Sequence, residues 1–231
     1  MNNKIQRETQ TNLEYLVKDN QAKKAVILFH GYGANMQDLY GLNDLIENHT
    51  EYDWYFPNGP MPLMLGGGMS RAWFPIDVEA LELAMASGTH RGYADKYPEQ
   101  FKEVLGLCET FIQNISKQYD ELYLGGFSQG AMVATHLTFT KNITVKALIC
   151  FSGTLIGKDI LLKTESKNHN IPFFQSHGKQ DAILSFEQAK DLFELLKLDG
   201  HTGEFIGFQG GHEIPFEVIK KWSEFMKRLS R

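Results

Sequence analysis

The stretch Leu122–Leu137, LYLGGFSQGAMVATHL, decides the fold. LYLGG reads as a strand, and AMVATHL as a helix so apolar on every side that it must pack deep against a sheet. Between them lies Gly126-Phe127-Ser128-Gln129-Gly130, a G-x-S-x-G motif in the strand–turn–helix setting that gives it meaning. On such a turn the serine backbone is strained, and glycines on either side keep neighbouring side chains from colliding. The hydroxyl is then presented at the mouth of the sheet. The helix that follows offers unpaired N–H groups and a positive dipole end, both of which favour a developing oxyanion. Ser128 is therefore a candidate nucleophile, against the blander role of a helix cap.

Outward from this core, short apolar runs alternate with helical patterns. The strand runs are Leu13–Val17 (a candidate edge), Ala25–Phe29, Trp54–Phe56, Leu122–Gly126, Val145–Phe151, Pro172–Ser176 and Gly203–Phe208. Several are apolar throughout, as expected of parallel strands covered on both faces. Helical stripes run from Phe101 to Tyr119, from Phe186 to Leu196 and from Pro215 to Leu229. The expectation is an α/β fold, a mostly parallel central sheet with helices on both faces, formed by residues 1–231 as a single domain. Ligands of such sheets bind at loops leaving the carboxyl ends of strands.

Composition agrees. The chain has 231 residues, 42% of them hydrophobic and 22% charged, enough for a core without disulfide or metal staples. With 23 basic and 28 acidic residues the net charge is −5, which argues against a nucleic-acid partner. No run of 18 apolar residues exists, so no stable membrane insertion is expected. The polar N-terminus and two isolated cysteines, Cys108 and Cys150, point to a cytoplasmic protein with buried, reduced thiols.

A nucleophilic serine needs a base, and the base an orienting acid. In α/β hydrolases the chain order is serine, acid, histidine. HGKQDAIL, after one strand run, offers Asp181, and GGHEIP, after the next, offers His212; Gly210 and Gly211 give the backbone freedom to bring His212 to the serine. Asp159 is the rival acid. His177 is the rival base, though it precedes the acid and reads better as a structural turn residue. His136 reads as a core histidine, and His49, His90, His169 and His201 as surface. The turn His30-Gly31-Tyr32-Gly33 follows strand AVILF and suits an oxyanion hole, with the N–H groups of Tyr32 and Gln129 as donors. No phosphate-binding fingerprint and no ligand cluster with zinc spacing occurs, so neither cofactor nor metal is implied.

Residues 57–77, PNGPMPLMLGGGMSRAWFPID, show neither helical nor strand period. A long apolar loop with Met, Gly and Pro suits a lid or acyl-pocket wall. Leu65, Met69, Trp73 and Phe74 are its candidate substrate contacts, with Ser152 lining the pocket from FSG.

Taken together, FHGYGAN, PNGP, RAWFPID, LGGFSQGAM, FSGTL, HGKQDAIL and GGHEIP resemble the carboxylesterase/phospholipase group of α/β hydrolases that includes the acyl-protein thioesterases. The resemblance implies Ser128 as nucleophile, Asp181 as acid, His212 as base, and Tyr32 and Gln129 as oxyanion donors. It also implies a small cap and activity on small-molecule carboxylic esters, often thioesters. A lysophospholipase, a peptidase and a non-catalytic receptor on the same fold stay open, as do monomer and homodimer.

Overall fold

The computed structural model describes residues 4–64 and 69–230. Ten strands occur among them: β1 (Gln6–Arg7), β2 (Glu14–Lys18), β3 (Lys24–Phe29), β4 (Tyr52–Pro57), β5 (Met61–Leu63), β6 (Ser70–Ala72), β7 (Glu121–Phe127), β8 (Ala147–Phe151), β9 (Pro172–Gly178) and β10 (Thr202–Phe208). Six α-helices accompany them: α1 (Val78–Ala86), α2 (Glu99–Ser116), α3 (Gln129–Thr140), α4 (Lys158–Lys163), α5 (Phe186–Leu198) and α6 (Phe216–Leu229). Eight strands form one sheet in the order β1-β2-β4-β3-β7-β8-β9-β10. Only β2 runs against its neighbours; all other pairs are parallel. β2 is thus next to the edge, with the two-residue β1 outside it.

The apolar strand runs have a direct cause. In β3, Ala25, Ile27 and Phe29 face a core shared with α2, α3 and α5, while Val26 and Leu28 face a second core closed by α6. Successive side chains point to opposite faces, and both faces are covered, so every position must be apolar. Trp222 of α6 anchors the second core, meeting Trp54 and Phe151 edge-on at centroid distances of 5.8 and 5.1 Å. Burying an aromatic of this size contributes about 2–3 kcal/mol.

Three parts of the fold depart from expectation. Residues 57–77 are not free of regular structure: β5 and β6 pair as an antiparallel hairpin, Met61 opposite Ala72 and Leu63 opposite Ser70. Pro62 within β5 hides the strand, since proline is tolerated only in short edge ribbons like this one. Helix α1 has no buried side chain and therefore no apolar stripe to read; Asp77 caps it by accepting from Ala80 N–H at 3.0 Å. His201 is not at the surface but 3% exposed, its ring against Phe139 at 4.6 Å.

His136 sits in α3 as a core histidine. Its Nε2–H donates to Ile156 O at 2.7 Å, and the rings of Phe101 and Tyr97 pack on it. Burial lowers its pKa to about 4, against the opposing hydrogen bond to the Ile156 carbonyl and with help from the Lys141 charge. In the unfolded chain the group titrates near ~6.5. Between these values the unfolded state binds a proton that the native state refuses, so stability is complete above the upper value and is lost as pH falls toward the lower. Urea unfolding should therefore show a declining free energy from about pH 6.5 to about pH 4.5. In His136→Gln, whose amide keeps a donor, the decline should be shallower; identical slopes would refute the assignment.

Candidate active site

Strand β7 leads into the turn at Ser128, whose φ of 55° and ψ of −117° lie outside the ordinary regions for an L residue. The turn is held by the Ser128 N–H donating to Phe151 O at 2.8 Å and by Ser128 O accepting from Ala131 N–H at 3.0 Å. It is tight enough that a Cβ on Gly130 would lie 2.0 Å from Phe29 O. The glycine after the serine is thus required by the approach of α3 to the end of β3.

The loops after β9 and β10 bring the other two residues to this point. His212 Nε2 stands 2.8 Å from Ser128 Oγ, and His212 Nδ1 stands 2.6 Å from Asp181 Oδ2. A carboxylate can only accept, so Nδ1 carries the imidazole proton and Nε2 accepts from the serine hydroxyl. Asp181 Oδ1 accepts from the N–H groups of Ile183 and Leu184 at 2.8 and 3.0 Å. His177 Nε2 lies 3.2 Å from the same Oδ2 that meets His212, and 2.9 Å from Leu184 O. Burial alone would favour the neutral acid. The hydrogen bonds from His177 and His212, the His212 charge and the Leu184 N–H outweigh it and hold the Asp181 carboxyl well below the usual carboxylate range.

The rivals are placed elsewhere. Asp159 pairs with Lys163 on its own helix, exposed to solvent. His177 is fully buried and meets Asp181 Oδ2 rather than Ser128. His90, read as a surface residue, donates from Nε2 to the Asp181 main-chain carbonyl at 2.7 Å, so it ties the loop before α2 to the acid. A Cβ on Gly211 would meet nothing within 4 Å, whereas one on Gly210 would lie 2.6 Å from Glu213 Oε1 and 2.9 Å from the Phe208 ring. The tightest approach is at Gly178, whose added Cβ would meet Gly211 O at 2.1 Å, because the β9 and β10 loops run in contact.

A cavity of about 460 Å³ opens beside Ser128. Tyr32 and Gln129 line it, and among the described residues neither of their N–H groups has a hydrogen-bond partner within the protein. Its walls are mostly apolar: Phe74, Ile76, Leu81, Tyr93, Met132 and Ile183 are among them. Of the candidate substrate contacts, Phe74 is in the wall. Trp73 is not; it is a strut, 2% exposed, donating from Nε1 to His30 O at 2.8 Å and from its N–H to Gln129 Oε1 at 2.8 Å. Met69 projects into solvent at 59% exposure. Ser152 is fully buried and braces the histidine loop, Oγ donating to Glu213 O at 3.2 Å. Leu65 lies outside the described residues. The residues that sequence reasoning missed are the roof, Ile76, Leu81 and Tyr93, and the pair Ile183–Leu184. Two signals were visible: Ile76 lies in the 57–77 stretch read as a pocket wall, and Ile183–Leu184 form an apolar pair that begins two residues after the acid.

The sequence profile of the family described as Phospholipase/Carboxylesterase matches residues 11–230. The chain is 30% identical over 193 residues to an acyl-protein thioesterase 1 of Debaryomyces hansenii, covering 75% of this chain and 76% of the relative. It is 28% identical to an acyl-protein thioesterase 1 of Kluyveromyces lactis, covering 91% and 94%. Among solved structures, esterase PE8 superposes with a TM-score of 0.74 at 24% identity, covering 90% of this chain and 93% of that one; this last likeness shows the fold alone.

The turn at Ser128 makes one substitution diagnostic. Gly130→Ala forces a methyl group onto main-chain atoms that cannot swing aside, and should destabilise by about 3 kcal/mol or more. A melting midpoint lowered by about 6 °C or more is the expected reading. A variant that melts with the parent would show that the turn relaxes.

Proposed function

The chain belongs to the phospholipase/carboxylesterase family of α/β hydrolases, and from that premise we propose that it hydrolyses carboxylic esters and thioesters through an acyl-enzyme on Ser128, with His212 as base and Asp181 as its orienting acid. One observation carries the reading: an unbroken hydrogen-bonded relay from Asp181 through His212 to Ser128, at the mouth of an apolar cavity.

The geometry suits each step. His212 Nε2 takes the Ser128 proton as Oγ attacks the acyl carbonyl. The carbonyl electron pair moves onto oxygen, which receives the N–H groups of Tyr32 and Gln129 and the positive end of α3. Collapse expels the alcohol or thiol, protonated by the imidazolium. Water, deprotonated by the same nitrogen, then releases the acid. Asp181 remains ionised throughout, holding the tautomer and stabilising the imidazolium. Its depressed pKa fits that role.

The apolar wall of Phe74, Ile76, Leu81 and Tyr93 supports the acyl chain as the recognised part of the substrate. Phe74 and Ile76, with Leu81 of α1, act as a small cap over that chain. No described helix is long and apolar enough to cross a membrane. A reducing, cytoplasmic compartment is supported by Cys108 and Cys150, both free and buried, with burial pushing the Cys150 thiol up to about 12.

A fluorophosphonate probe should label Ser128, and Ser128→Ala or His212→Ala should lower kcat by roughly 10⁴–10⁶ while the melting transition persists. Asp181→Asn should lose on the order of 10⁴ through the wrong tautomer. Full activity in Ser128→Ala would overturn the reading. A panel of p-nitrophenyl esters and matched thioesters should favour short to medium acyl chains, as the cavity volume suggests. A steep rise in kcat/KM beyond about ten carbons would contradict that preference.

A further inference from the structure

His30 follows directly on β3 and begins the loop that passes over Ser128. A Cβ on Gly31 would lie 3.4 Å from Ser128 Cβ, so the loop is in contact with the reacting residue. The His30 ring is 1% exposed, and each of its nitrogens has a partner of opposite kind. The Gly59 N–H donates to Nε2 at 2.9 Å, so Nε2 is unprotonated. The ring proton is then on Nδ1, which donates to Gly31 O at 2.7 Å.

We propose that His30 is a positioning residue for oxyanion stabilisation: by gripping the Gly31 carbonyl it aims the Tyr32 N–H at the oxygen formed on the Ser128 adduct. This rests on the reading of Ser128 as nucleophile. Gly31 C=O and Tyr32 N–H belong to one peptide unit, which is planar and trans, so they point in opposite directions. Fixing the carbonyl therefore fixes the donor. Ala34 N–H reaches the same carbonyl at 3.3 Å, a weaker second hold. Because the Gly59 N–H claims Nε2, the Nδ1 proton is a buried donor that needs an acceptor, and the Gly31 carbonyl is the one it meets. The bond to the next residue's carbonyl joins no distant parts of the chain, and its consequence is the orientation of that peptide.

The second donor is fixed from the same side. The Gln129 side chain accepts from Trp73 N–H and donates to Phe74 O at 2.7 Å, while Trp73 Nε1 holds His30 O. Trp73–Phe74 thus steadies both residues next to the oxyanion. Burial, against the hydrogen bond to Gly31 and with the Arg71 charge, keeps the His30 pKa down at about 4, consistent with a neutral ring whose donor and acceptor stay distinct.

Two conservative variants separate the two ring nitrogens. In His30→Asn the amide nitrogen takes the place of Nδ1 and keeps the donor to Gly31, while the acceptor for Gly59 is lost. In His30→Gln the amide oxygen takes the place of Nε2, and the donor to Gly31 is lost. Steady-state kinetics on p-nitrophenyl butyrate and inhibition by an aryl trifluoromethyl ketone, which adds Ser128 Oγ and leaves an oxyanion at the same place, supply the readouts. His30→Gln should lose roughly 10–100-fold in kcat with KM little changed, and bind the ketone more weakly by a similar factor. His30→Asn should stay within a few-fold of the parent. A His30→Gln variant with parental kcat or ketone affinity overturns the proposal, as does a folded His30→Asn that falls equally far. Ring ¹⁵N spectra of the unmodified protein test it independently of either variant. A proton on Nδ1 from about pH 5 to about pH 8 supports the assignment, and a proton on Nε2 overturns it. A parent protein that neither hydrolyses the ester nor takes the fluorophosphonate would instead sink the reading of Ser128, and the ¹⁵N result would still stand on its own.

Discussion

Ser128 occupies a backbone conformation that costs about 1–3 kcal/mol, and it persists because its surroundings leave no alternative. Its N–H is taken by β8 through Phe151 O, its carbonyl is taken by the first turn of α3, and α3 itself is pressed against the end of β3. Relaxing the serine would mean moving a helix buried along almost its whole length. The constraint is productive. It turns the hydroxyl out of the sheet, sets the first free N–H groups of α3 beside it, and brings the loop after β3 across it. The remaining parts of the site are arranged around a point that this turn defines.

Asp181 is the second organising group. Two main-chain N–H groups and two imidazoles converge on its carboxylate, and a third imidazole holds its main-chain carbonyl. Each comes from a different place: the acid's own loop, the end of β9, the loop after β10, and the segment before α2. A buried carboxylate so fully satisfied stays ionised and stays still. Both properties suit the orienting acid proposed above. The hydrogen bond to His212 Nδ1 passes the restraint on to the imidazole beside Ser128.

Much of this was legible in the amino-acid sequence. Strands buried on both faces announce themselves as uninterrupted apolar runs, and α2, α5 and α6 carry one apolar stripe each. The G-x-S-x-G turn, together with Asp181 and His212 after successive strands, located the relay, since chain order and strand ends constrain where such residues meet. The cavity wall was far less legible. Trp73 looked like an acyl contact because large apolar side chains serve pockets and cores alike. Only its indole N–H to His30 O reveals a strut. Helix α1 lacks periodicity because nothing covers it, and the β5–β6 hairpin is masked by Pro62. His90 and His201 stand in polar neighbourhoods of sequence, and their burial or bonding depends on contacts with residues far along the chain.

Helix α1 buries none of its side chains, yet Leu81 forms part of the roof over the cavity. Segments with so little packing open at a small fraction of the global unfolding free energy. The cavity is therefore walled by two kinds of residue, Phe74 and Tyr93 from the core and Leu81 from a lightly packed helix. Opening of α1 alone would widen the cavity while leaving the relay beneath it in place.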